Sequence, residues 1–442
     1  MTVAQPNTVY ALIDINNCYV SCEQVFNLGL NGKAVVVLSN NDGCVVSRSP
    51  EAKALNIKMA VPWHEIQYMT QRHGVIALSS NYALYADMSR RFFEILAQHF
   101  NADELEPYSI DECFIELTAY AQSHTLQQLA QNLIQQVQQW LGLSCCIGIG
   151  HSKTQAKLAN HFAKTRTGFD GVCDLTQLDL CSYEQLLLET PVSEVWGIGR
   201  QLSQQLQAYA IYTAYDLTFA NPQHLSRQFS IVMSRIICEL NGQSCLGLDD
   251  PMLPSKRILA SRSFAHALTD KQLIQQALTF HLNRAHRRLR QQQQLCASVQ
   301  VSLYEKIAHP PYKHATSQHV GLAYASDDLL LLSQAAQQQI DVLFKENKKY
   351  VKVSMMFTVL HPKAIYTHDL WHPLAQIEQR EQLNLTLDQL KKRFGQNCVQ
   401  IGYFSQHHGW QMKQQYRSPR YTTRWQEMLC IDDRHLAVTQ IK

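Results

Sequence analysis

Three acidic side chains, at two places in the chain, have the types and settings to do chemistry together. Asp14 closes the apolar run VYALID at residues 9–14, and the adjacent pair Asp111 and Glu112 sits in YSIDECFIEL at residues 108–117. A short run of apolar, β-prone side chains such as the first reads as a buried strand ending in an acid. The second reads as two strands meeting at a tight turn, with Asp111 and Glu112 at the bend. Acids at strand ends are most often solvated or salt-bridged. If the two strands are neighbours, three carboxylates converge at one sheet edge and repel one another. Divalent cations remove that repulsion, and an all-oxygen donor set suits Mg²⁺ rather than Zn²⁺. Two such ions can clamp the attacking and leaving oxygens of a phosphoryl displacement and offset the charge growing on the phosphates.

The elements that would position these acids follow from pattern. Residues 17–26 read as a helix and residues 33–38 (KAVVVL) as a strand ending in a turn cluster. SPEAKAL at 49–55 starts a helix, with Ser49 as its cap and Pro50 at the first helical position. Met88, Phe92, Ile95, Leu96 and His99 fall at helical spacing. An amphipathic helix at 124–140, a short buried strand at 145–150 and a helix at 152–164 follow. Strands interleaved with helices give an α/β or α+β pattern. Residues 180–245 hold no convincing strand and read as a small helical domain, and DDPMLP at 249–254 reads as a linker. Beyond it come an alternating strand at 257–265, a helix at 270–291, strands near 297–303 and 318–325, a helix near 327–346 and a strand at 351–359. That β-α-β-β-α-β order is a split βαβ domain. Residues 361–442 lack strong periodicity and are expected to form a loosely folded tail.

A chain of 442 residues is too long for one core, so several domains are expected. With 46% hydrophobic and 17% charged residues the composition is globular, not disordered. Net charge is only +3, so a nucleic-acid enzyme would need its Lys and Arg gathered on one face. The 13 cysteines form no CxxC pair, which argues against a Cys-based zinc site. Cys18 and Cys22, four apart on one helical face, read as two buried thiols. The first residues lack a basic stretch followed by a long apolar one, and no apolar run approaches the roughly 18 residues of a membrane helix. The expectation is a cytosolic protein with reduced thiols.

The words around the acids are more specific than the acids themselves. IDINNCYVSCE with Asp14, Tyr19 and Glu23 resembles the opening motif of Y-family DNA polymerases, and YSIDE at 108–112 resembles their second catalytic motif. SNNDGCVVSRSPEAKAL, SSNYALYADMS, IGIGHSKTQAKLANHFAK, VWGIGR and SRSF resemble UmuC-type sequence, and the likeness covers roughly four-fifths of the chain. It implies an α+β multidomain fold: a right-hand polymerase with palm (8–17 and 80–170), small fingers (18–79), helical thumb (171–248) and βαββαβ little finger (255–360), then a partner-binding tail (361–442).

The resemblance also implies roles. Asp14, Asp111 and Glu112, with the backbone carbonyl of Ile15, would hold two Mg²⁺ ions. Tyr19 would be the steric gate whose ring crowds a 2′-hydroxyl. Lys53, Lys164 and Ser47 would contact the triphosphate of an incoming dNTP. Gly197, Ile198 and Gly199, in WGIGR, would present backbone N–H groups to a DNA phosphate, and the strand face carrying Ser261 and Ser263 would track the DNA backbone. The arginines 284, 287, 288 and 290 are read as a solvated helix face. QLNLTL, with Gln382, Leu383, Leu385 and Leu387, resembles the hexapeptide that bacterial proteins insert into the sliding clamp. Where many relatives carry Phe beside the gate, this chain has Cys18; Cys113 and Pro50 also depart from common residues, and none of the three removes a metal ligand.

The expected activity is error-prone, template-directed translesion synthesis in the SOS response, by a cytoplasmic, nucleoid-associated enzyme. Its expected partners are primer-template DNA, dNTPs, a cleaved UmuD-type dimer, a RecA filament and the sliding clamp, and no membrane. Two other readings compete. One is a catalytically weak DNA- or clamp-binding adaptor of a mutasome, against which the three acids argue. The other is a metal nuclease or nucleotidyl cyclase, against which the gate motif and little finger argue.

Overall fold

The structure is a computed structural model. It describes residues 8–122, 125–249, 254–308, 313–367, 371, 374–395, 398–399, 401–403 and 412–428. The chain forms two compact units, Met1–Pro251 with Gln415–Lys442, and Met252–Gln414. Most of the expected linker at 249–254 lies outside the described residues.

The first unit is built around a five-stranded sheet. Tyr10–Ile15 is central, antiparallel to Glu112–Glu116 on one side and to Cys145–Gly150 on the other. Leu105–Pro107 pairs beyond Glu112–Glu116, and Val172–Asp174 beyond Cys145–Gly150. The strand alternates as a half-polar pattern requires. Ala11, Ile13 and Ile15 join the core formed with the helices Tyr82–Leu96 and Leu126–Leu141, while Tyr10 and Leu12 pack with Phe114 and Ala156 on the opposite face. Asp14 shares that opposite face by period.

The helix Lys153–Thr165 lies on this face unusually closely, and the sequence CCIGIG makes that possible. A Cβ at Gly148 would sit 2.0 Å from the Asn160 backbone nitrogen, and one at Gly150 would sit 2.6 Å from the Gln155 Cβ. Asn160 then donates its side-chain amide to the carbonyls of Leu12 (3.2 Å) and Cys146 (2.7 Å). The helix is thereby pinned to two strands at once.

A smaller three-stranded sheet holds Val35–Leu38 between Val45–Arg48 (antiparallel) and Ile76–Ser79 (parallel). As the sequence indicates, Ser49 caps the helix Pro50–Ala54, its hydroxyl accepting from the Ala52 N–H at 3.2 Å. Residues 180–240 are helical, and Leu187, Leu206, Leu217 and Ile237 pack in a core they share with Leu158 and Phe162 of the helix Lys153–Thr165.

In the second unit the strand order is 313–326, 294–306, 350–362, 258–268, with every neighbouring pair antiparallel. The helices Lys271–Gln291 and Leu329–Leu343 supply the apolar layer against one face, where Ile258, Ala260 and Phe264 are buried. This is the expected β-α-β-β-α-β order.

Two expectations need correction. The hairpin around the acids begins earlier: its first strand is Leu105–Pro107, and residues 108–111 are the turn. The Ser109 hydroxyl accepts from the N–H groups of Asp111 (3.2 Å) and Glu112 (3.1 Å), so a side chain satisfies those two donors at the turn. The described residues of the C-terminal region are also ordered in part. Leu374–Phe394 is a helix of 21 residues, and residues 415–421 pack into the first unit.

Candidate active site

The strand register brings the distant acids together. Asp14 is the direct cross-strand partner of Glu112, and the Ile15 N–H donates to the Asp111 carbonyl at 3.0 Å. Directly opposed residues on one face have Cβ atoms about 4.5–5.5 Å apart, so the Asp14 and Glu112 carboxylates share one patch of surface. Asp111 precedes Glu112 at the mouth of the turn, where its Oδ1 accepts from the Ser109 hydroxyl at 2.6 Å.

Two lysines of the pinned helix face these acids. Lys164 Nζ lies 2.6 Å from Asp14 Oδ2, and Lys157 Nζ contacts both Glu112 oxygens at 2.9 and 3.0 Å. They are seven residues apart, two helical turns, so they project from the same side of the helix. Burial pushes the Asp14 carboxyl up to about 7, Lys164 opposes the rise, and the neighbouring Glu112 adds to it. Among the described residues no three His, Cys, Asp or Glu side chains converge as a ready metal cage. Each acid is instead held by its own neighbour. The donor chemistry still fits a hard divalent cation: opposed carboxylates, a third one residue away, and only oxygen donors.

Tyr19 lies on the helix Cys18–Phe26, which starts just after Asp14 with Asn17 in the left-handed region (φ 51°). Its ring stacks on Tyr85 at 4.5 Å with an 11° interplanar angle and meets Tyr82 edge-on at 6.2 Å. Cys18 and Cys22 are buried free thiols, as expected. Ser47 is not presented to the site as expected. It is buried, its hydroxyl donates to the Asn17 carbonyl (3.0 Å) and accepts from the Val20 N–H (3.3 Å), and it therefore brackets the start of the Tyr19 helix.

Lys53 is held below the ordinary lysine range, first by burial and then by the charges of Arg48 and Lys164. Lys53 thus lies within electrostatic reach of Asp14, Lys164 and Arg48, and the Arg48 guanidinium also donates to the Ile57 carbonyl at 2.6 Å; the cluster of cations favours a polyanion. The sequence reading missed Arg48, whose buried Nε has no hydrogen-bond partner, and Lys157. Neither carries a signal of its own: one ends a strand, the other is an ordinary helical lysine until the helix docks.

In the helical segment, Gly197 adopts φ 90° and Gly199 caps the helix Arg200–Gln207, while Ile198 is buried between them. The Ile198 N–H donates to the Val195 carbonyl at 3.0 Å, so, against expectation, this residue offers no free N–H to a phosphate. Trp196 packs on Phe114 and donates its Nε1–H to the Tyr108 hydroxyl at 3.2 Å, tying this hairpin to the acid-bearing strands. In the second unit, Ser261 and Ser263 pair with Ser354 and Lys352 on the sheet face away from the helices. Arg290 is not a solvated cation: it bridges Asp327, Glu381 and Asp388. QLNLTL lies inside the helix Leu374–Phe394, with Leu387 buried and Leu383 and Leu385 exposed. An extended clamp-binding pose would need this stretch to unwind.

Backbone likeness defines the class. The fold is that of a Y-family DNA polymerase: it matches a Dbh-Dpo4(243-245)-Dbh polymerase chimera with a TM-score of 0.65 at 18% identity, over 79% of this chain and 98% of that one. It also matches an insertion ternary complex of Dbh DNA polymerase with a TM-score of 0.53 at 16% identity, over the same shares.

The chain belongs to the impB/mucB/samB family, which matches residues 13–161, with its C-terminal domain at 255–370. It is 36% identical to Protein ImpB of Salmonella typhimurium, over 95% of this chain and 99% of that protein. It is 35% identical to Protein UmuC of Salmonella typhimurium, over 96% and 100%. To DNA polymerase IV 1 of Halalkalibacterium halodurans it is 26% identical, over 66% and 69%. Residues 381–431 match a domain of unknown function, DUF4113. No helix among the described residues is long and apolar enough to cross a membrane.

Proposed function

We propose that this chain is an error-prone, template-directed DNA polymerase that performs translesion synthesis in the SOS response. The observation that carries the proposal is the register that sets Asp14 opposite Glu112, one residue from Asp111, beneath Lys164. In this reading Asp14, Asp111, Glu112 and the Ile15 carbonyl would hold two Mg²⁺ ions, which would supply charge neutralisation and Lewis acidity for a phosphoryl displacement. Lys164 and Lys53 draw in the triphosphate as point charges, and Arg48 adds to that field. The Tyr19 ring, backed by Tyr85, occupies the space a ribose 2′-hydroxyl needs.

The palm would span 8–17 and 80–170, the fingers 18–79, the thumb 171–248, the little finger 255–360 and a partner-binding tail 361–442. Template-primer would run past the Gly197–Gly199 hairpin and along the Ser261 and Ser263 face. A cleaved UmuD-type dimer, a RecA filament and the sliding clamp would be the protein partners, in the nucleoid.

Primer extension across a defined lesion on a gapped template tests the proposal, with and without these partners and with Mg²⁺ or a chelator. Extension that needs Mg²⁺ supports it. No product with every partner present would favour an adaptor, and DNA fragments released by Mg²⁺ without nucleotides would indicate a nuclease.

A further inference from the structure

Tyr19 does not stand alone. The ring it stacks on, Tyr85, is fully buried, and its hydroxyl donates to Glu23 Oε1 at 2.7 Å. Glu23 sits one helical turn after Tyr19 and is 1% exposed. A carboxylate that deep needs donors on its oxygens. The second donor comes from the far end of the chain: the Ser418 hydroxyl reaches the same Glu23 oxygen at 2.9 Å.

The segment that delivers Ser418 is firmly seated. The Asn81 amide donates to Ser418 Oγ and to the Pro419 carbonyl, both at 2.9 Å, and Asn81 immediately precedes the helix that carries Tyr82 and Tyr85. Tyr416 exchanges hydrogen bonds with Ser79, and the Asp42 carboxylate accepts from both the Ser79 hydroxyl (2.6 Å) and the Gln415 N–H (2.9 Å). Tyr421 is buried and stacks on Phe26, the last residue of the Tyr19 helix, at 5.0 Å and 8°. Arg420 closes the following turn with its fork on Glu427. Residues 415–421 thus touch both helices that frame Tyr19, and they lie inside the stretch matched by the domain of unknown function.

We propose that residues 415–421 are a brace that positions Tyr19 for sugar selection, acting through Glu23 and Tyr85. This rests on Tyr19 being the sugar gate. Tyr85 is the floor beneath the gate ring, and Ser418 and Glu23 hold that floor in place. If the floor shifts, the gate gives way to a 2′-hydroxyl more readily than it loses a deoxynucleotide.

The test is the ratio of kcat/KM for dNTP over rNTP, measured on the full-length chain with its accessory partners. Ser418→Ala should lower the ratio about three- to tenfold, chiefly by raising rNTP use. Ser418→Thr, which keeps the hydroxyl, should stay near wild type. Tyr85→Phe keeps the ring, removes the other donor and should repeat the drop, which serves if Ser418→Ala folds poorly. In a Tyr19→Ala background, Ser418→Ala should add nothing, because the brace then has no gate to position. An unchanged ratio in folded Ser418→Ala and Tyr85→Phe, or equal losses for both sugars, would overturn the brace while leaving the polymerase reading intact. An unchanged ratio in Tyr19→Ala would remove the gate assignment and the brace together.

Discussion

Replacing Gly148 with alanine should force the helix Lys153–Thr165 off the central sheet. The new Cβ would lie 2.0 Å from the Asn160 nitrogen, 2.3 Å from the Ala156 carbonyl oxygen and 2.6 Å from the Ala159 carbonyl carbon. All three are backbone atoms, so no side chain can swing aside. Ordinary contact needs about 3.5 Å, so the helix must retreat by about 1.5 Å. Overpacking a rigid core costs about 1–3 kcal/mol. The retreat also breaks the two bonds from the Asn160 amide, each worth about 1 kcal/mol net. The sum, about 3–5 kcal/mol, is a large part of a domain's usual stability. Lys157 and Lys164 ride on the same helix, so the protein that remains folded should lose about a hundredfold in primer extension. Urea unfolding followed by tryptophan fluorescence reads the first effect, and extension per folded molecule reads the second. Gly199→Ala is the control: no atom lies within 4 Å of its added Cβ, and its φ of −82° suits alanine, so stability should move by less than about 1 kcal/mol. A wild-type urea midpoint for Gly148→Ala would refute the account of how the helix and its lysines are placed.

Asp111→Ala should abolish nucleotide addition while DNA binding, read by fluorescence anisotropy, persists; equal loss of both would mean that Asp111 is a folding residue. Tyr19→Ala should raise ribonucleotide incorporation, read by alkaline cleavage of the product, and an unaltered yield of cleavable product would count against the gate. The second unit should lose stability in mild acid. Burial and the charges of Arg262 and Arg284 press the His281 pKa down to about 3, and burial lowers His286 as well. The folded state therefore refuses protons that the unfolded chain takes up below about pH 6.5. Stability is full above that pH and falls as pH drops toward 3, by about 2 kcal/mol for His281 at pH 5, with His286 acting in the same direction. His281→Phe should flatten the urea midpoint between pH 7 and 5, and a slope equal to wild type would speak against this origin.

The acid site was legible because its parts are local. Asp14 and Glu112 each belong to a short apolar strand, and strand periodicity together with the motif words places them on one sheet. What surrounds them was less legible. Ser47 sits in the expected motif, but only the folded backbone reveals that Asn17 and Val20 engage its hydroxyl. Lys157 and Arg48 look like ordinary surface cations until the helix docks and the small sheet closes. The helix Leu374–Phe394 escaped notice because its apolar residues do not gather along one face. Residues 415–421 escaped for another reason. Their contacts with the first unit are mostly polar, with the Tyr421–Phe26 stack added, and reach 337 to 395 residues back, and no local pattern in the chain records a partner that distant.

That distance has a consequence for biosynthesis. On a ribosome adding about 5–20 residues per second, Ser418 appears about 20–80 s after Glu23. Throughout that interval Glu23 lacks its Ser418 donor and Phe26 lacks the Tyr421 ring that stacks on it. On the proposed brace, fragments truncated before Ser418 should discriminate poorly against ribonucleotides even where Asp14, Asp111 and Glu112 are all present.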